Sequence, residues 1–381
     1  MKCDLLLKNG RLYNPKRGID KVADLAIQNG KIVYSNQKDE VWEAKKTVDV
    51  SGCFVVPGLI DIHTHLHYLG TASGMPADLA SIPYGVTASL DAGSTGVSTV
   101  RALAHGLREC TVKTKFMLNV SASGIIMANQ FPENVDPSVW DIGLFDEVFA
   151  EYGDQIPALK LRISKKVVGE LGLQPVKSAI ELSERYHVPI CIHTTNPPDT
   201  MSTVAQMLRK GDILTHMYHG AGMTCIENGK VAEGYWKAKE RGVVFDTACG
   251  QGNLSLVVAK EAIAQGFLPD SISTDLNIYN WNHDYVFSLT AMMSKFLALG
   301  MKLSDVVDCV TEAPAEQWGA AGELGCLLPG TAADITVLKI VDRKMKYQDK
   351  YGNVLYGNQM VIPEMTVIDG KTHYQSMELH P

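Results

Sequence analysis

An α/β architecture, a closed (β/α)8 barrel carrying a small β-sandwich domain built from both chain ends, is what this sequence predicts. Three observations predict it. Eight apolar segments recur along the middle of the chain, with helical patterns between most of them. Both ends read instead as short strands and turns. The residues that close several apolar segments are of metal-ligating type, and they would meet where barrel strands end. The expected division is residues 1–54 with 326–381 as the sandwich and 55–325 as the barrel.

The elements follow in chain order. The N-terminal strands are "CDLLLKNGRLYNP" and "ADLAIQNGKIVYS". Each contains Asn-Gly, a strong hairpin signal. Next, "FVVPGLIDI" is apolar and β-branched, as a buried strand should be. The later strands are "GVTASLDA", "KFMLNVSA", "PALKLRI", "VPICIHTT", "DILTHMY", "GVVFDTA" and "SISTDL". Helical spacing appears in "VKSAIELSERYH", "MSTVAQMLRKG", "YWKAKERG" and "LSLVVAKEAIAQG", then in "YVFSLTAMMSKFLALG" and "SDVVDCVTEAPAEQWG". Strict βα alternation implies a parallel sheet. An open doubly wound sheet is the alternative, but no G-x-G-x-x-G follows the first strand. The C-terminal strands are "TAADITVLKI", "YGNVLYGN" and "EMTVIDGKTHY".

Composition narrows the function. The chain has 381 residues, 46% of them hydrophobic and 20% charged, which suits a folded enzyme and excludes disorder. A net charge of -7 argues against nucleic acid as a partner. No apolar run is long enough to span a bilayer, and the N-terminus lacks a signal peptide's apolar core. The eight cysteines form no C-x-x-C pair. Free thiols in a reducing cytosol are expected, so the expected setting is cytoplasmic, with a small-molecule substrate and a homo-oligomeric state.

The stretch "DIHTHLH", residues 61–67, holds three of the eleven histidines. Residues two apart on a strand point the same way, so His63 and His65 share a face while Thr64 and Leu66 take the other. Lys160 and Arg162 close strand four, His193 strand five, His216 strand six and Asp275 strand eight. Singly, each has a bland explanation: a hydrogen-bonded core histidine, a helix-capping Asp, a snorkelling Lys. Together strands one, five, six and eight deliver ligand-type residues to one rim, with a lysine from strand four, and a metal site accounts for them better than coincidence.

These residues, with "PGLIDIHTHLH", the late "STD" and the flanking "GTAADITVL", closely resemble the amidohydrolase superfamily over nearly the whole chain. The resemblance implies a binuclear centre of two divalent metal ions, zinc first among the candidates. His63, His65 and Asp275 would hold one ion, His193 and His216 the other. Lys160, carboxylated by carbon dioxide, would bridge them, because an ammonium binds no cation whereas a carbamate supplies two anionic oxygens. The implied reaction is hydrolysis of an amide or ester by a metal-bridging hydroxide, with Asp275 as proton carrier.

The substrate is less legible. "DAGSTG", "NVSASGI" and "LKLRIS" resemble a deacetylase-like subgroup whose members are also labelled dihydroorotase or adenine deaminase. His67 stands where dihydroorotases carry an Arg, and Cys249 in "ACGQGN" where the subgroup tends to carry His. Arg162 suits a substrate carboxylate, or else a structural ion pair at the rim. His219, Asn277 and Tyr279 are further candidate contacts. Backbone N–H groups near Ser94 and Ser123 are candidate oxyanion donors. The leading expectation is deacylation, for example deacetylation, of a small carboxylate-bearing N-acyl or O-acyl compound. A cyclic-amide hydrolase is the alternative; an adenine deaminase or a non-catalytic scaffold ranks below both.

Overall fold

The computed structural model describes residues 1–33, 41–127 and 130–379. Strands from both chain ends form one eight-stranded sheet. Lys2–Asn14 pairs with Ile19–Gln28, Glu43–Asp49 and Phe54–Pro57. The C-terminal hairpin, Ile335–Gln348 with Val354–Ile368, joins through Phe54–Pro57, where Ile335 faces Pro57 and Val337 faces Val55. Its own apolar core includes Leu5, Leu7, Leu25, Val55, Val337 and Val367.

The two Asn-Gly pairs behave differently. Asn29-Gly30 is the predicted tight turn, with both residues at positive φ, between Ile19–Gln28 and Lys31–Val33. Tyr34 and Ser35, which end the predicted segment, lie outside the described residues. Asn9-Gly10 is no hairpin. It sits inside Lys2–Asn14 at a register shift, with Asn9 at φ 63°. Any β-carbon on Gly10 would lie 2.5 Å from Val55 Cγ2, so tertiary packing turns a hairpin signal into a β-bulge.

The predicted strand "FVVPGLIDI" is also two elements. Phe54–Pro57 belongs to the terminal sheet, and Leu59–Thr64 is the first barrel strand. Gly58 separates them, pressed on Thr87 so closely that a β-carbon would meet its Oγ1 at 2.1 Å.

Barrel strands two to seven are Val86–Asp91, Lys113–Phe116 continued by Leu118–Asn119, Leu159–Arg162, Ile190–His193, Ile213–Thr215 and Val244–Asp246. All pair in parallel with their neighbours. Met117 splits the third strand, whose halves pair with strand two and strand four. The eighth is not a continuous strand. Residues 271–276 close the ring through single bridges, Asp246 to Ser271 and Thr64 to Leu276.

Alternation in strands four and five sets up the site. Leu159, Leu161, Ile190 and Ile192 join the apolar layer that also holds Val176 and Leu182 of helix Gln174–Arg185. Ala158 and Cys191 pack in a separate inner cluster, which leaves Lys160, Arg162 and His193 on the barrel's inner side. Side-chain caps start the helices that follow: Thr200 for Met201–Met207, Ser255 for Leu256–Ala264 and Ser288 for Leu289–Ala298. The last predicted helix is two, Leu303–Asp308 and Glu312–Trp318, with Pro314 in the first turn of the second, where its missing N–H is tolerated.

Candidate active site

His63, His65, Lys160, Arg162, His193 and Asp275 all line one cavity of about 280 Å³ at the C-terminal ends of the barrel strands. His65 Nε2 lies 3.1 Å from Asp275 Oδ1 and His63 Nε2 lies 3.8 Å from it. Lys160 Nζ is 3.2 Å from His63 Nε2 and is buried. Across from this group, His216 Nε2 and His193 Nδ1 are 2.7 Å apart.

The hydrogen bonds decide which ring nitrogens face inward. Thr215 Oγ1 donates to Asp246 Oδ2 at 2.8 Å, so its single proton is spent. Its 3.1 Å contact with His63 Nδ1 therefore uses the ring's N–H as donor, and Asp246 Oδ2 stands 3.5 Å from the same nitrogen. His63 Nε2 is left with its lone pair toward the cavity. His216 Nδ1 donates to the Ala248 carbonyl at 2.7 Å, which directs its Nε2 inward in the same way. Ser94 Oγ steadies His65 at Nδ1, 2.9 Å away. Imidazoles held by carboxylate and carbonyl partners behind them are the usual support of a metal site.

Electrostatics agree with this assignment. Burial, then the nearby Lys160 charge, lowers the pKa of His63. Burial likewise holds His193 and His216 well below the ordinary value, so their nitrogens are available as lone-pair donors. Burial alone would raise Asp275, but the hydrogen bond from His65, helped by the other histidines beside it, outweighs burial and keeps the carboxyl low. Asp61, below the site, goes the other way. Burial pushes it up to about 7 against the hydrogen bonds it receives from Thr274 and His63.

Two of the clustered residues have strained backbones: His216 at φ 63° and Asp275 at φ 56°. Left-handed geometry costs a side-chain-bearing residue about 1–2 kcal/mol. It is held at Asp275 by a 2.7 Å bond from its own N–H to the His63 carbonyl, and at His216 by a 3.0 Å bond from the His219 N–H. Gly93, at φ 80°, lies so close that a β-carbon would sit 2.5 Å from Lys160 Cβ.

The donor set fits a divalent ion. One ligand atom from each of His63, His65 and Asp275 lies within 4.8 Å of the others, among buried or half-buried groups. His193 Nε2 has no hydrogen-bond partner among the described residues.

Residues 54–373 match the amidohydrolase family. This chain belongs to the amidohydrolase family. Among its relatives in the family, a deacetylase of Agrobacterium fabrum is 32% identical over 89% of this chain and 84% of its own. A deacetylase of Enterococcus faecalis is 28% identical, covering 98% of this chain and all of its own. A solved structure described as an adenine deaminase superposes with a TM-score of 0.89 at 27% identity, covering 98% of this chain and 100% of that one. Another, described as a dihydroorotase, gives 0.88 at 29% identity, covering 98% and 99%. The protein is thus a metal-dependent hydrolase with the family's barrel and β-sandwich-like domain.

Within this amidohydrolase the other sequence candidates divide. Asn277 and Tyr279 line the cavity. Asn277 also shapes its own loop, donating to the Asp275 carbonyl at 3.1 Å and accepting from the Tyr279 N–H at 3.0 Å. His219 does not line the cavity. It is fully buried, and burial pushes it down to about 4. His67 also lies off the cavity, with Gly70 packed against its ring. Cys249 is fully buried behind the wall, its thiol pushed up to about 12 by burial; Gln251 and Asn253 of the same loop reach the cavity instead. The Ser94 N–H is spent on Asp91 Oδ1 at 2.8 Å, and Ser123 is exposed.

Sequence reasoning passed over Asp246, Thr215, Asn253 and Glu133. Asp246 closes the apolar segment "GVVFDTA", so the rule that found Asp275 would have found it. Asn253 donates to Asp275 Oδ2 at 2.8 Å. Glu133 sits in a loop without periodicity, and nothing in the sequence singles it out. No helix among the described residues is long and apolar enough to cross a membrane, and all eight cysteines are free.

Proposed function

We propose that this protein is a binuclear hydrolase that removes an acyl group, such as acetyl, from a small carboxylate-bearing N-acyl or O-acyl compound. The observation that carries the reading is buried Lys160 beside His63, in the cavity that His193 also lines, with Arg162 one alternation farther along the same strand. His63, His65 and Asp275 would hold one divalent ion, zinc by donor type, and His193 and His216 a second, with a Lys160 carbamate shared between them. Bound there, the ions supply an acidified water and polarise the substrate carbonyl.

The chain's own residues do the rest. Arg162 fixes the substrate carboxylate and so sets which carbonyl reaches the cluster. Asp275, kept ionised by its histidine neighbours, takes the proton of the attacking water. The acyl C–N or C–O bond breaks, the acyl carbon keeps the water oxygen, and the amine or alcohol leaves with the proton from Asp275. Asn253 holds Asp275 in orientation for both transfers.

A panel of N-acetyl and O-acetyl carboxylic acids, set against dihydroorotate and hydantoins, tests the reading. Turnover of the acyclic acids with little on the rings is expected. The reverse pattern would install the cyclic-amide alternative, to which the structural likeness to a protein described as a dihydroorotase gives weight.

A further inference from the structure

Arg162 is accompanied by a buried acid. Glu133 lines the same cavity, its side chain is only 3% exposed, and its Oε2 lies 3.6 Å from Arg162 Nη1. The pair is not built like the bidentate arginine pairs of this chain. Arg185 grips Asp146 with two bonds of 2.8 and 2.7 Å, and Arg11 grips Asp20 with two of 2.6 and 2.8 Å. Between Arg162 and Glu133 no hydrogen bond closes. Arg162 Nε and Glu133 Oε2 both lack a hydrogen-bond partner among the described residues. A buried charged group left unpaired is expensive, so an open pair at a cavity wall is completed by what enters.

We infer that Glu133 and Arg162 together form a dipolar subsite for the free α-amino and α-carboxylate groups of an amino acid, and that the acyl group is carried on its side chain. This rests on the proposed deacylase reading and narrows its substrate. An arginine alone would select any carboxylate. A carboxylate fixed beside it cancels its charge and repels a plain acid, yet matches an ammonium next to the substrate's own carboxylate. Both groups of an α-amino acid branch from one carbon, which suits two protein charges standing 3.6 Å apart. An amine tied to Glu133 is not the acylated nitrogen, so the acyl group belongs on a side-chain nitrogen or oxygen. Arg162 follows Lys160 by two residues, which is about 7 Å of strand rise. The head group therefore sits outward of the metal-ligand cluster, and the substrate's side chain spans the gap.

The test is calorimetric binding of racemic 2-aminopentanoate and of pentanoate to the metal-loaded protein, to Glu133→Gln and to Arg162→Met. The wild type should bind the amino acid at least about tenfold more tightly, the worth of one charge-assisted bond. Glu133→Gln should erase that preference while retaining pentanoate binding. Wild-type protein that binds pentanoate equally or better overturns the dipolar subsite and leaves the carboxylate reading intact. A preference unchanged in Glu133→Gln does the same. If neither acid binds, or Arg162→Met leaves both affinities unchanged, the carboxylate reading falls and this inference with it.

Discussion

Asp275 carries the heaviest chemical assignment, and its surroundings show why one residue can hold it. Its backbone is forced left-handed, its carboxylate touches His65 on one side and Asn253 on the other, and neighbouring imidazoles keep it ionised. Asp275→Asn keeps the shape and one coordinating oxygen but accepts no proton. Proton transfer of this kind contributes about 10²–10⁴-fold, so kcat should fall by at least roughly two orders of magnitude while metal content is largely retained. A variant with near-normal kcat and full metal content would remove Asp275 from the chemistry. His219 makes a second residue-scale prediction, through stability. Burial holds its imidazole neutral down to about pH 4, whereas the unfolded chain protonates near 6.5. The unfolded state therefore takes up the proton first as pH falls. The stability that neutral burial provides is complete above about 6.5 and is lost toward 4, over a span of roughly 3 kcal/mol. Denaturant melts of His219→Gln should show a flatter loss between about pH 7 and pH 5 than the wild type; parallel curves would contradict the assignment.

At the scale of elements, the barrel was legible because strand ends are punctuated. Apolar runs closing in His, Lys or Asp named the inward residues of strands one, four, five, six and eight without any knowledge of contacts. What misled was local grammar overridden by distant packing. Asn9-Gly10 has a hairpin's residues but is pinned by Val50 and Val55 into a bulge. "FVVPGLIDI" has a strand's residues but changes sheet at Gly58. His219 follows His216 by one turn residue more than alternation allows, and it is buried where a rim contact was expected. Glu133 was invisible because loops carry no period. The loop after strand two supplies a prediction of its own. Gly93 adopts φ 80° and faces the stem of Lys160, so Gly93→Ala meets both a backbone and a steric penalty. The variant should lose at least about 1 kcal/mol of stability. Its activity should fall further than that loss explains, because the clash displaces Lys160. Normal kcat/KM in the folded fraction would show that Lys160 need not stand where it does.

For the whole molecule, both chain ends serve one sheet, and Phe54–Pro57 hands the chain directly from that sheet into the first barrel strand, which delivers His63 and His65. Candidate ligands separated by more than two hundred residues thus converge, with His63 and His65 the one local pair among them. The carboxylate behind His63 comes from strand seven, the hydroxyl between them from strand six, and the bond that strains Asp275 returns to strand one. Closure of the ring, rather than any one element, makes the site. The central claim is that this ring holds two ions joined through Lys160, and counting them tests it most directly. Protein prepared without chelator and reconstituted with zinc and bicarbonate should return two metal equivalents per chain by elemental analysis, and Lys160→Ala should return no more than one. A wild type that holds one equivalent or less under those conditions, or a Lys160→Ala variant that retains two, would contradict the account.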